Sequence, residues 1–189
     1  METGVVVVTH VNNAETWYRD CIDSLMPSIE AGTNVVTYTN TDQENHYEGG
    51  GMKFGFDLFD EFWLIPDTVI VKDCLMLDAT LMDSGRGYAA GPAIISCVGK
   101  YRRAVYERTV ADGFPLIVPN NKREAVAAEQ VWSGGHYLQR EDKITCLSDS
   151  FVDGPRREFR HGRENMVLES DTFIKYKGCW DPNMINDGS

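Results

Sequence analysis

Asp60-Glu61-Phe62-Trp63-Leu64-Ile65-Pro66-Asp67-Thr68-Val69-Ile70-Val71-Lys72-Asp73 is an apolar run broken once by a carboxylate. Phe62 to Ile65 reads as a buried strand. An acid at the end of such a strand, beside Pro66, needs a physical reason to sit there, and the usual reasons are a metal ion or a sugar. Two strand-like segments precede it. Gly4 to His10 carries the four valines Val5 to Val8, the signature of a strand buried on both faces, and Val11-Asn12-Asn13 supplies a turn. Asn13 is placed to cap a helix from Ala14, in which Trp17, Cys21, Leu25 and Ile29 recur at helical spacing until Gly32 ends it. Asn34 to Thr39 is a second β-branched strand. Strand, helix and strand within about 40 residues make a βαβ unit and favour a parallel sheet.

Further along, Asn40 to Gly51 is polar and ends in Gly49-Gly50-Gly51, read as a flexible loop that brings backbone amides close to a ligand. Helices are expected over Met52 to Phe59, Cys74 to Met82, Lys100 to Ala111 and Lys122 to Trp132, the last capped by Asn120 or Asn121. Ser84-Gly85-Arg86-Gly87 ends the second of these, and Tyr88 to Val98 reads as extended chain interrupted by Gly91-Pro92. A short strand is expected around Ile144 to Leu147, then a polar, arginine-rich stretch to Arg163. Phe173 to Trp180 alternates apolar and basic residues, as a strand does. Residues 1–180 read as one domain, with no internal repeat or linker, and 181–189 as a frayed tail.

Composition narrows the partners. With 189 residues, 42% hydrophobic and 25% charged, the chain is the size and make-up of a globular domain with one core. No apolar stretch approaches the ~20 residues of a membrane span. Met1-Glu2-Thr3-Gly4 lacks the positive region of a signal peptide, so a soluble, cytoplasmic protein is expected. Five dispersed cysteines with no CxxC pair read as reduced thiols. A net charge of -11 disfavours nucleic acid, although Arg156, Arg157, Arg160 and Arg163 form a local basic patch.

In an open α/β sheet, ligands bind beyond the carboxyl ends of the parallel strands. The candidates are Thr9, His10 and Val11 after the first strand, Thr39, Asn40 and Thr41 after the second, and Asp67 after the third. A nucleotide fits across them, and polar loop packing is the plainer alternative for Thr9 and His10. Lys53, just after the glycine run, is placed to meet phosphate or sugar. No P-loop, nucleophile elbow or GxGxxG fingerprint is present.

From Gly4 to about Trp180, the order of strands with Asp67 at the end of the third resembles the nucleotide-sugar glycosyltransferases of the GT-A type, including their small virus-encoded members. The resemblance implies an α/β, Rossmann-like single domain with a mostly parallel central sheet flanked by helices. It implies a divalent cation, Mn²⁺ or Mg²⁺, held by Asp67 under a departing diphosphate. GT-A enzymes commonly use Asp-X-Asp there, whereas this chain has one acid, in Ile65-Pro66-Asp67 or Asp67-Thr68-Val69. Pro119 to Glu129 looks like the GT-A helix that borders the acceptor, which makes Glu129, or else Glu124, the general base. His161, in His161-Gly162-Arg163, matches the C-terminal histidine that completes the metal shell, while Arg163, Lys175 and Lys177 would clamp the diphosphate. Trp132, Tyr137 and Trp180 either stack on a sugar or belong to the core. The implied function is transfer of a hexose or pentose from a nucleoside-diphosphate sugar, a UDP-sugar first, to a glycan, protein or modified-base hydroxyl. The alternatives are a GT-A-like binding module without catalysis and a nucleotidyltransferase, for which carboxylates are too few at the strand end.

Overall fold

The side chains of Val5 to Val8 alternate between two apolar layers. Val6 and Val8 lie among Met52, Phe56, Phe62 and Tyr101, whereas Val5 and Val7 lie among Cys21, Leu25, Trp63 and Ile65. A strand enclosed on both faces has no polar side, which explains the unbroken valine run. The computed structural model describes residues 1–72, 81–82, 99–141, 145–146, 156–169 and 173–178. In it β1 (Thr3–His10) lies between β2 (Val35–Asn40) and β3 (Glu61–Pro66) and is parallel to both, with Val5 opposite Val35 and Trp63. α1 (Trp17–Glu30) covers one face and α2 (Tyr47–Leu58) the other.

A second four-stranded sheet, antiparallel throughout, runs in the order β4 (Val69–Val71), β10 (Phe173–Gly178), β9 (Arg163–Glu169), β8 (Arg156–Arg160). It grows from the chain just after Asp67 and returns against α1, where Trp17, Val167 and Tyr176 form a small core. Two-residue strands β5 (Leu81–Met82) and β7 (Thr145–Cys146) pair in parallel. The first sheet ends in β6 (Gly99–Arg102), antiparallel to β3, and leads into α3 (Arg103–Ala111). α4 (Lys122–Ala127) continues as a π-helical segment, Ala128–Tyr137. That wide winding suits Gly134-Gly135, and it is pinned by buried bonds. Trp132 Nε1 donates to the Phe114 carbonyl at 2.9 Å, and the Ser133 and Tyr101 hydroxyls meet at 2.7 Å. Tyr137 accepts from the Arg102 amide at 2.7 Å and donates to Glu141 at 3.2 Å. Glu141 in turn pairs with Arg102, and Glu61 with the buried Lys100. The far end of this helix is thereby tied to Arg102 at the end of β6.

The structure corrects several expectations. Lys100 to Arg102 is strand, because Tyr101 is buried opposite Phe62 while Lys100 finds Glu61; the helix begins only at Arg103. Leu81 and Met82 are strand rather than the end of a helix, and the rest of that expected helix, like 83–98 and the tail 181–189, lies outside the described residues. Gly49-Gly50-Gly51 is not a loop but part of α2, all three buried. A Cβ would stand 2.4 Å from the Tyr38 hydroxyl at Gly50 and 2.3 Å from Val8 Cγ2 at Gly51. These glycines let the helix approach the sheet. The arginine-rich stretch is β8 and the start of β9, a hairpin whose turn holds His161 and Gly162 at positive φ. Its alternation is hidden in sequence because arginines and glutamates occupy both faces.

Candidate active site

At the carboxyl edge of the parallel sheet the Asp67 amide donates to the Val8 carbonyl at 2.8 Å, extending the β1–β3 ladder by one residue. This places the carboxylate over the end of β1, where it is 6% exposed. Its Oδ2 accepts from Thr9 Oγ1 at 2.7 Å and from Asn13 Nδ2 at 2.8 Å. Two donors on one oxygen fix the plane of the carboxylate. Asn13 is thus not a helix cap. α1 begins at Trp17, and Thr16 before it makes no side-chain capping bond, its hydroxyl donating to the Asn13 carbonyl at 3.3 Å instead.

Asn40, also buried, joins the end of β2 to this point. Its Nδ2 donates to the Thr9 carbonyl at 3.3 Å, and its Oδ1 accepts the His46 amide at 2.8 Å, at the entrance to α2. His46 Nδ1 donates to the Pro119 carbonyl at 2.9 Å, which draws the start of α4 to the same edge. His10 Nδ1 accepts from the Asn12 amide at 3.3 Å, so its Nε2 carries the proton and faces Asp42 at 3.4 Å. Val11, exposed, begins the turn between β1 and α1.

Lys175 is 7% exposed, stands opposite Val69 in the sheet register, and donates to Thr68 Oγ1 at 2.8 Å. It therefore lies beside the residue that follows Asp67. Cys21, on α1 beneath, feels both charges. Burial pushes its thiol up to about 12, with Asp67 adding to the rise and Lys175 opposing it. That thiol is inert at neutral pH. The structure thus gathers Thr9, Asn40, Asp67 and Lys175 at one edge, together with Asn13, which the sequence points to only as a cap.

The other candidates sit elsewhere. Lys53 pairs with Asp57 along the exposed face of α2. Lys177 is in β10 opposite Met166, and its side chain lies outside the description. His161 Nε2 bonds Asp20 Oδ2 at 2.7 Å, and its ring meets Trp17 edge-on at 4.5 Å. Arg163 lies over the same indole, 5.2 Å from its centre. Burial raises the Asp20 carboxyl, but hydrogen bonds from His161 and Arg160 outweigh it and hold the group below its ordinary value. Glu124 closes a capping box with Asn121 and accepts the Asn120 amide at 2.8 Å. That bond and the Asn121 side chain lower its pKa, the wrong direction for a base. Glu129, by contrast, follows α4, whose start His46 draws to the Asp67 edge, and is half-buried in the first turn of the π-helical segment. Trp132 and Tyr137 are core residues, and Trp180 lies outside the described residues.

A hard divalent cation takes about six oxygen ligands. Among the described residues no group of three or more His, Cys, Asp and Glu comes together to hold one. The Asp67 surroundings offer one carboxylate whose Oδ2 takes two neutral donors, so a Mn²⁺ or Mg²⁺ ion held there would have to take its remaining ligands from phosphate and water. No helix among the described residues is long and apolar enough to cross a membrane.

No protein-family model and no curated protein matches the chain. Its backbone is similar to that of S. aureus TarS, a glycosyltransferase, with a TM-score of 0.50 and 14% identity over 79% of this chain and 35% of that one. TarS 1–349 aligns with a TM-score of 0.49 and 14% identity over 79% and 58% of the two chains. A197 from STIV aligns with a TM-score of 0.47 and 9% identity over 94% and 95%. The chain thus spans 35% and 58% of the two TarS chains. At such identity the TarS likeness shows the fold alone, and that fold is GT-A-like: a mostly parallel sheet flanked by helices.

Proposed function

We propose that the protein is a glycosyltransferase that moves a hexose or pentose from a nucleoside-diphosphate sugar, a UDP-sugar first, to an acceptor hydroxyl. The observation that carries this reading is the buried Asp67 carboxylate, held by Thr9 and Asn13 where three parallel strands end. A carboxylate so oriented accepts hydrogen bonds from sugar or ribose hydroxyls without reorganising when the ligand arrives. Thr9, His10, Val11 and Asn40 line the edge on which a nucleotide would rest. Glu129 takes the acceptor proton, since Glu124 is committed to the helix cap. The acceptor is a glycan or protein hydroxyl rather than a nucleic-acid base. In the arginine patch Arg156 faces Glu169, Arg157 faces Glu164 and Arg160 faces Asp20, which removes the charge a polyanion would seek.

The test is a pool of nucleotide sugars incubated with the full chain and followed by mass spectrometry, beside calorimetry with each donor. Slow hydrolysis of one donor, lost in Asp67→Asn and slowed in Glu129→Gln at unchanged donor affinity, supports a transferase. Binding without hydrolysis would instead identify a GT-A-like nucleotide-sugar-binding module, and no binding at all would remove both.

A further inference from the structure

We infer that two copies of the chain pair along Leu116, Ile117 and Val118, as antiparallel strands related by a twofold axis at Ile117. The inference stands apart from the transferase reading and concerns the segment between α3 and α4.

Phe114-Pro115-Leu116-Ile117-Val118-Pro119 is an unbroken apolar run, and Gly113 to Asn121 holds no charged residue in a chain of net charge -11. The run forms no helix, strand, turn or bend, and Phe114 and Val118 are each 37% exposed. Pro115 and Pro119 fix their own φ and keep the residues before them extended. The inward side of the run is already taken. A Cβ at Gly49 would stand 3.0 Å from the Ile117 carbonyl oxygen, which therefore lies against α2, and the Pro119 carbonyl accepts from His46 Nδ1 at 2.9 Å. The Phe114 carbonyl turns back to Trp132 Nε1, so the free edge begins after Pro115. In an extended chain the backbone polar groups of successive residues point to opposite sides. Those of Leu116 and Val118 therefore point away from the body of the protein, and among the described residues they make no hydrogen bond. An unpaired edge of this kind is a template for another strand.

The strand it matches is its own copy. With Ile117 on the twofold, Leu116 stands opposite the partner's Val118, and such a pair exchanges both of its N–H···O bonds. Pro115 falls opposite the partner's Pro119, at positions whose backbone faces inward, so neither missing N–H interrupts the ladder. The face is isologous, as a twofold requires, and its lack of charge lets two acidic chains meet without like charges in contact. Phe114 and Val118 supply apolar surface at the seam.

The experiment weighs the full chain by sedimentation equilibrium and follows exchange of the Leu116 and Val118 amides by NMR. So small an interface is weak, so the mass is expected to rise from one chain to two with a midpoint on the order of 100 µM, and added salt to favour the dimer by screening the net charge. At that affinity, exchange of both amides slows about twofold between roughly 30 and 300 µM chain. Val118→Pro removes an outward amide that bonds nothing within the chain, and Val118→Lys sets like charges at the seam; each is expected to melt like wild type and to stay a single chain. A wild type that stays a single chain throughout that range would overturn the inference, and this arm depends on no variant folding. A dimer that Val118→Pro leaves intact, with both amides still exchanging at the dilute rate, would overturn it by showing that the copies meet elsewhere. A dimer that salt weakens would overturn it too, since ion pairs would then hold the copies. Protection of the two amides in a single chain by a synthetic peptide of alternating valine and threonine would assign the edge to a different polypeptide and overturn self-pairing.

Discussion

Replacing Asp67 by asparagine or by alanine separates its place in the fold from its place in the chemistry. Asparagine keeps an oxygen where Oδ2 stands, so the Thr9 and Asn13 donors stay satisfied and only the charge assistance is lost. Loss of that assistance is offset by no longer burying a charge, and the net cost is about 1 kcal/mol. Alanine orphans both donors. Each unsatisfied buried donor costs roughly 1–3 kcal/mol, and Thr9, which already reaches the His10 carbonyl at 3.3 Å, recovers part of its share, leaving about 3 kcal/mol. For a chain of this size that lowers Tm by roughly 6–12 °C, against a few degrees for asparagine. Circular-dichroism melts of the two variants at equal concentration, beside their donor turnover, are the assay. Both are expected to be inactive while only alanine melts early. If asparagine melted as early as alanine, the negative charge would be what holds the strand ends together, and Asp67 would be a structural residue. An alanine variant as stable as wild type would show that the two hydrogen bonds contribute nothing.

Gly51→Ala gains about 1 kcal/mol of helix propensity but drives a methyl into Val8 Cγ2, and the overpacking cost of about 1–3 kcal/mol is expected to win; a raised Tm would contradict the close approach of α2. Cys21 is expected to resist thiol reagents at pH 8 in the native protein and to react fully in denaturant, as read by mapping the labelled peptide; rapid native labelling would contradict its burial and raised pKa. Because the folded Asp20 carboxyl lies below its ordinary 3.8, the stability it contributes is present above that pH and lost as pH falls through the lower folded value. Wild type and Asp20→Asn should therefore differ by a constant amount near neutrality and converge in acid. Parallel stability curves down to about pH 2 would refute this.

Val5 to Val8, the helical spacing of Trp17, Cys21 and Leu25, and the β-branched Val35 to Thr39 are local signals. Each states the period and burial of its own segment, and the handedness of βαβ crossovers does the rest. Phe173 to Trp180 also alternates legibly as a strand, but the β8–β9 hairpin beside it was hidden for the opposite reason. In Arg156 to Arg160 the pairing partners Glu164 and Glu169 come from another strand, so the segment reads as polar chain until that strand is beside it. The glycine run misled because glycine signals a loop or a close approach equally well, and only the position of Val8 and Tyr38 decides which.

By itself the amino-acid order determined a mostly parallel sheet with one acid just past its third strand, since periodicity, β-branching and strand-end position are properties of contiguous residues. Only the tertiary structure decided what that acid touches. Asn13 meets Asp67 across 54 positions of the chain, Lys175 meets Thr68 across 107, and His161 turns to Asp20 across 141. Side chains so far apart share no period; their meeting depends on how two sheets and α1 pack, which no window of sequence contains.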